Sequence, residues 1–151
     1  MALSWPTVCT RRSRAAARSS TPAVTRDGVP ISVATPASLA HSIVATNGLA
    51  PRHLGWEQFR ALGSTALDIC LVAEGALDAY LDCAPSAHGV WDYLGAMCVL
   101  SEAGGVISDA FDRPLTVLDH AARRAPVAAS SPGLLADLLA ERRTFGDGPT
   151  P

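Results

Sequence analysis

Three short stretches of the chain carry residue types that could do chemistry if the fold brings them together: Gly63-Ser64-Thr65, the run that ends in Asp82, and Trp91-Asp92. Asp92 follows a bulky aromatic and opens a run in which Leu94, Met97, Cys98 and Ser101 recur at i, i+3, i+4 and i+7, the helical period. The spacing predicts Asp92 as the N-cap of a helix that stops at Gly104-Gly105, with a strand starting at Val106-Ile107. A capping carboxylate is an ordinary structural device, and it also sits where the helix dipole favours negative charge. Gly63 lies ahead of Ser64, itself a fair cap, at the start of a second predicted helix. Free N–H groups there attract anions or polar hydroxyls, and a glycine lets a ligand approach the backbone. Glu102 reads as a solvated or structural carboxylate inside its helix, and His88 as a solvent-exposed loop histidine.

The elements that must position these residues follow from the pattern around them. Asp27-Gly28 is a turn signal, and Ile31 and Val33 alternate with Ser32 as a short strand would. Ser38 to His41 reads as one helical turn, Ile43 to Thr46 as a strand closed by Asn47-Gly48, and Pro51 to Trp56 as a loop. In the helix after Ser64, Leu67, Cys70, Leu71 and Glu74 share one face before Gly75 ends it. Leu77, Ala79 and Leu81 then alternate with Asp78, Tyr80 and Asp82, the period of a half-buried strand. A loop from Cys83 to Gly89 returns the chain to Asp92, so Asp82 and Asp92 can meet at one sheet edge. Downstream, Val106 to Asp109 and Pro126 to Ser130 read as strands around an Asp112-Arg113-Pro114 turn. Ser131 caps a last helix with Pro132 at its first position and Leu134, Leu135, Leu138 and Leu139 as its buried stripe.

Trp91-Asp92, followed by small and apolar residues and then Glu102-Ala103-Gly104-Gly105, resembles the C-terminal signature of the inositol monophosphatase family. The stretch from Arg60 to Tyr80 is similar to that family's glycine, small residues, helix and acid-ended strand, and together the segments cover about residues 27 to 140. The resemblance implies an α/β fold, a mixed β-sheet flanked by helices that forms the C-terminal half of a layered α/β sandwich. It implies Mg²⁺-dependent hydrolysis of a phosphomonoester, an inositol phosphate or a related sugar phosphate. Carried over residue by residue, it makes Asp92 a ligand of the second metal that also reaches a substrate hydroxyl. Gly63, Ser64 and Thr65 become a substrate-contacting loop. Asp82 becomes the acid that hydrogen-bonds a sugar hydroxyl, where the family more commonly has Glu.

The resemblance assigns no catalytic residue, because the family's Asp-Pro-x-Asp-Gly-Thr segment and the acidic helix residue before it occur nowhere in this sequence. Asp27-Gly28-Val29 reads as a hairpin turn and Asp147-Gly148-Pro149 as tail. One metal carboxylate of the expected set remains, and a lone aspartate holds Mg²⁺ weakly because the ion keeps most of its waters. Two expectations of different class follow. One is a phosphatase, working as a homodimer or with a chain that supplies the missing half. The other is a truncated, non-catalytic domain that docks on a partner or is a gene fragment, with an apolar face exposed where the missing half would pack. A third, a plain sugar-phosphate binding module, would bind its ligand without regard to Mg²⁺.

Composition bounds these readings. The 151 residues are 48% hydrophobic with mean hydropathy +0.21, enough for one compact core. A net charge of −2 and a pI near 6.0 leave no electrostatic footprint for nucleic acid or an anionic membrane. Cys9, Cys70, Cys83 and Cys98 lack CxxC spacing, which argues against zinc or a disulfide framework. No apolar run approaches the roughly 18 residues that span a bilayer. The expectation is a soluble, cytoplasmic protein. Residues 1–24, rich in arginine with no acid, fit a basic disordered start, an organellar transit peptide or a start codon placed inside a longer gene. The domain proper is expected over 25–145 and a flexible tail over 146–151.

Overall fold

The computed structural model describes residues 24–35 and 38–146. The readings made of the arginine-rich start, Cys9 and the tail beyond Gly146 lie outside the described residues. The mixed sheet flanked by helices expected from the sequence is present. Five strands lie in the order β4-β3-β5-β7-β6: β3 (Ile43–Asn47), β4 (Gln58–Arg60), β5 (Ala79–Asp82), β6 (Val106–Asp109) and β7 (Pro126–Ala129). β3 runs parallel to both β4 and β5, whereas β7 is antiparallel to β5 and β6. A separate hairpin joins β1 (Thr25–Arg26) to β2 (Val29–Pro30). Its two turn residues, Asp27 and Gly28, both have positive φ, at 51° and 79°, the backbone a two-residue hairpin loop requires.

Successive strand residues point to opposite faces, and here both faces are apolar. Val44, Leu81 and Val127 face one core with Leu54 and Trp56, beneath helix α3 (Pro132–Arg142). Ala45, Tyr80 and Ala128 face a second core beneath helices α1 (Thr65–Ala73) and α2 (Leu94–Glu102). For this reason β5 is buried at every position rather than half-buried as its alternation predicts: Tyr80 lies under α1 and α2, and Leu81 lies under α3. Helix α3 matches its sequence expectation. The Ser131 hydroxyl accepts the Leu134 N–H at 3.3 Å, and Leu134 and Leu138 are buried, each stabilising the fold by about 1.5–3 kcal/mol relative to exposure.

Two local readings are corrected, and one strand is present where the spacing announced none. Residues 31–33 form no strand; Val33 donates one hydrogen bond to the Ala103 carbonyl at 3.2 Å and packs against the α1/α2 core. The edge strand β4 has three exposed residues and no alternation to announce it. In α1 and α2 the buried stripes are not the ones the spacing selects. The inward residues are Thr65, Asp68, Ile69, Val72 and Ala73 in α1, and Ala96 and Leu100 in α2. Leu67 and Ser101 are exposed, and Cys70, Leu71, Leu94, Met97 and Cys98 are half-buried. Both helices are apolar on two sides, so periodicity fits either side. Among the described residues no helix is long and apolar enough to cross a membrane.

Candidate functional site

The parallel register of β3 and β5 sets Asn47 beside Asp82 where both strands end. The Asn47 amide donates to Asp82 Oδ1 at 3.1 Å, and the Ala84 N–H donates to the same oxygen at 2.9 Å. Asp82 is fully buried. Burial raises its pKa, against the opposing pull of the Ala84 N–H, Asn47, His88 and Arg142. From the far side, Arg142 Nε donates to the Asp82 carbonyl at 2.8 Å and ties the strand end to the last turn of α3.

His88 lies over Asp82. Its backbone forms a two-bond antiparallel bridge with Arg124, which folds the loop inward and leaves the imidazole 14% exposed. Nε2 stands 3.2 Å from Asp82 Oδ2, 3.0 Å from Thr65 Oγ1, 3.3 Å from the Tyr80 hydroxyl and 3.1 Å from Asn47 Nδ2. The exposed loop histidine expected from the sequence is therefore wrong. The signal that could have found it was its position four residues before Asp92. Tyr80 and Thr65 share a buried hydrogen bond of 2.8 Å, and burial raises the phenol pKa.

Asp92 closes a 3-10 turn, Val90–Asp92, and its Oδ2 accepts the Gly89 N–H at 3.0 Å. The prediction that it caps α2 is overturned. That helix begins at Leu94 after Tyr93, because the 3-10 turn intervenes and takes the carboxylate for itself. Oδ2 is also 3.7 Å from His88 Nδ1, so one imidazole lies between Asp82 and Asp92. Gly89 is required here: the Trp91 indole folds over it, and a Cβ would meet Cζ2 at 2.3 Å. The outer part of Trp91 stacks on His120 at 4.4 Å with the Arg123 guanidinium 5.1 Å from the ring centroid.

Asn47, Gly63, Ser64, Thr65, His88 and Asp92, with Ala66 and Trp91 at the sides, line a cleft of about 260 Å³. Gly63 has φ +85° and open space where a side chain would stand. The Ser64 side chain makes no capping hydrogen bond, so the first N–H groups of α1 face the cleft without that acceptor. Of the residues singled out from the sequence, Gly63, Ser64, Thr65 and Asp92 meet in this cleft. Asp82 does not line it. His88 covers Asp82, so its carboxylate does not reach a sugar hydroxyl directly in this arrangement. Glu102 is exposed at the far end of α2.

The cleft can hold a polyhydroxylated ligand between N–H donors and the Asp92 acceptor, but none of its lining residues is Lys or Arg to offset a phosphate dianion. The residues present do not fit a magnesium ion by themselves. Asp92 offers one part-exposed carboxylate with an oxygen already hydrogen-bonded, Asp82 is enclosed beneath His88, and among the described residues no group of three or more His, Cys, Asp or Glu side chains is arranged to hold a metal ion.

The family model described as "Inositol monophosphatase family" matches residues 13–145. Bovine inositol monophosphatase 1 is 42% identical over 82 residues, 54% of this chain and 27% of that protein. The inositol-1-monophosphatase of Mycobacterium bovis is 36% identical over 88 residues, 57% of this chain and 27% of that protein. Among solved structures, the inositol monophosphatase of Anabaena superposes with TM-score 0.64 and 25% identity, covering 80% of this chain and 50% of the other. Inositol monophosphatase-II of Staphylococcus aureus gives TM-score 0.60 at 24% identity, covering 77% and 45%. The chain thus spans about half the length of these solved structures and matches about a quarter of the curated relatives.

Proposed function

The chain belongs to the inositol monophosphatase family, and we propose that its cleft holds the hydroxyl-bearing part of a phosphorylated polyol, an inositol or related sugar phosphate, during Mg²⁺-dependent phosphomonoester hydrolysis. One observation carries this reading: the Asp92 carboxylate and the N-terminal N–H groups of α1 face each other across the same cleft. The N–H groups and helix dipole suit hydroxyl or phosphate oxygens. Asp92 accepts a hydrogen bond from a substrate hydroxyl, and the Gly89 N–H fixes the orientation of its carboxylate. His88, held among Asp82, Thr65 and Tyr80, forms a rigid floor. Mg²⁺ is the proposed cofactor of the complete site, with Asp92 as this chain's ligand and the other carboxylates coming from beyond the residues described.

The test is phosphate release from inositol 1-phosphate by the 151-residue chain in millimolar Mg²⁺, beside Asp92→Asn. Turnover that falls about 100-fold or more in the variant supports the reading, a loss of the size expected for a metal-centre residue. Turnover indifferent to the substitution overturns the role of Asp92. A second reading, a non-catalytic domain that works only when docked on a partner, is favoured by there being no group able to hold a metal ion among the described residues. A folded chain that releases no phosphate alone, yet does so with added carboxylate-bearing protein, selects it.

A further inference from the structure

The imidazole of His88 reaches from the interior of the protein to the cleft. Nε2 is turned to Asp82 and Tyr80, both fully buried, and Nδ1 to Asp92, whose side chain is 37% exposed on the cleft wall. A neutral imidazole donates from one nitrogen and accepts at the other, so whatever fixes the proton decides what the cleft meets. Asp82 fixes it. Its Oδ1 already accepts the Asn47 and Ala84 N–H groups. Its Oδ2 is enclosed and takes no other hydrogen bond among the described residues, with Nε2 standing 3.2 Å from it. A proton on Nε2 therefore satisfies a buried oxygen that would otherwise be stripped of water without compensation. The Thr65 and Tyr80 hydroxyls, 3.0 and 3.3 Å from the same nitrogen, satisfy each other through their 2.8 Å bond, and the Asn47 amide, at 3.1 Å, gives an N–H to Asp82 Oδ1. Nδ1 is left as an acceptor. It has a long contact of 3.4 Å with Thr65 Oγ1 and stands 3.7 Å from Asp92 Oδ2, itself an acceptor.

We propose that His88 is a specificity residue of the cleft: Nδ1 accepts a hydrogen bond from a ligand hydroxyl next to the one taken by Asp92, and Asp82 is the positioning residue that keeps the proton on Nε2. Asp82 thus acts on the ligand through the imidazole that covers it. The class of ligand this pair selects is a polyol with adjacent hydroxyls. Two acceptors side by side need two donors, and they turn away a phosphate dianion, which has none. The choice of ligand rests on the polyol reading of the cleft above; the placing of the proton does not.

The test is nitrogen-15 NMR of the full chain without Mg²⁺, at about pH 8, where an ordinary imidazole is neutral, with the His88 ring assigned from its own backbone. Couplings from the ring protons show which nitrogen carries the proton. Wild type should carry it on Nε2, and added myo-inositol should move the Nδ1 resonance in step with saturation. His88→Gln puts an amide where Nε2 stood and nothing in place of Nδ1. It should bind myo-inositol about fivefold more weakly, the loss of one hydrogen bond. Asp82→Asn reads the positioning role. The two N–H groups on Oδ1 hold the new amide oxygen there, so its NH₂ faces Nε2, the proton moves to Nδ1, and myo-inositol weakens by a similar factor. A proton on Nδ1 in wild type, an unchanged tautomer in Asp82→Asn, or wild-type affinity in His88→Gln overturns the proposal. Should either variant not fold, the wild-type tautomer and the Nδ1 shift decide. Inositol that binds without moving Nδ1 overturns the proposal and leaves the proposed function standing. Wild type that takes up no inositol overturns the polyol reading of the cleft along with it.

Discussion

Helix α3 covers one face of the sheet with Leu134 and Leu138 turned inward and Ala136, Asp137 and Ala140 turned to solvent, whereas α1 on the opposite face turns its one charge inward and Leu67 outward. Both layers bury a core of similar kind, so apolar packing alone does not separate them. What separates them is the outer surface. The α3 layer turns small and charged residues to water, whereas the outer surface of α1 and α2 is almost free of charge. The cleft opens at the N-terminal ends of α1 and α2, so the candidate site borders that weakly charged surface.

The sharpest way to break this comparison is at the contact that locks the α3 layer to the cleft. Arg142 is fully buried, hydrogen-bonds the Asp82 carbonyl, and has its guanidinium 5.3 Å from the Phe111 ring centroid and 4.7 Å from that of Phe145. Arg142→Ala should cost about 3–5 kcal/mol in urea denaturation, from lost packing and a stranded buried acceptor. A cost below about 1 kcal/mol would mean that α3 is not what holds the end of β5.

The buried charge of α1 offers a smaller, pH-dependent effect. Neither oxygen of Asp68 has a hydrogen bond, and burial raises its pKa to about 6. The native state thus holds this proton more tightly than the unfolded chain. The associated stability is fully present below the unfolded value near pH 4, and it is lost as pH rises through about 6. Asp68→Asn should therefore raise stability at pH 8 by about 1–3 kcal/mol and leave it unchanged or lower at pH 4, read from denaturation curves at the two pH values. An equal gain at both would remove ionisation as the cause. Smallest is the contrast between caps. Ser131→Ala should cost about 1 kcal/mol, and Ser64→Ala, whose hydroxyl caps nothing, no more than about 0.3 kcal/mol in the same assay.

The same contrast explains what the sequence reveals. α3 is legible to the residue because one stripe is apolar, a serine caps it and proline follows. The existence of α1 and α2 is equally legible, but their orientation is not. Leu67, Cys70 and Leu71 make as good a stripe as Ile69, Val72 and Ala73, and only the tertiary packing chooses. In the site, the alternation up to Asp82 and the loop back to Asp92 are readable. The burial of Asp82 is not, because it depends on His88 being drawn in by Arg124, a pairing between residues far apart in sequence. Asp92 was readable as a capping residue, but the 3-10 turn that it caps leaves no periodic trace.

The order of strands in the sheet also bears on how the chain is made. Among the described residues β7 is the last strand in chain order, yet it lies between β5 and β6 and pairs with both, Leu81 with Val127 and Ile107 with Ala128. β6 therefore has no neighbour to join until β7 arrives, although it leaves the ribosome first. Non-local pairing of this kind slows folding, because loop closure must precede the contacts that reward it. During synthesis the apolar residues of α1, α2 and β6 wait without a completed sheet beneath them, and a chain stopped before Pro126 would lack the strand that joins β6 to β5.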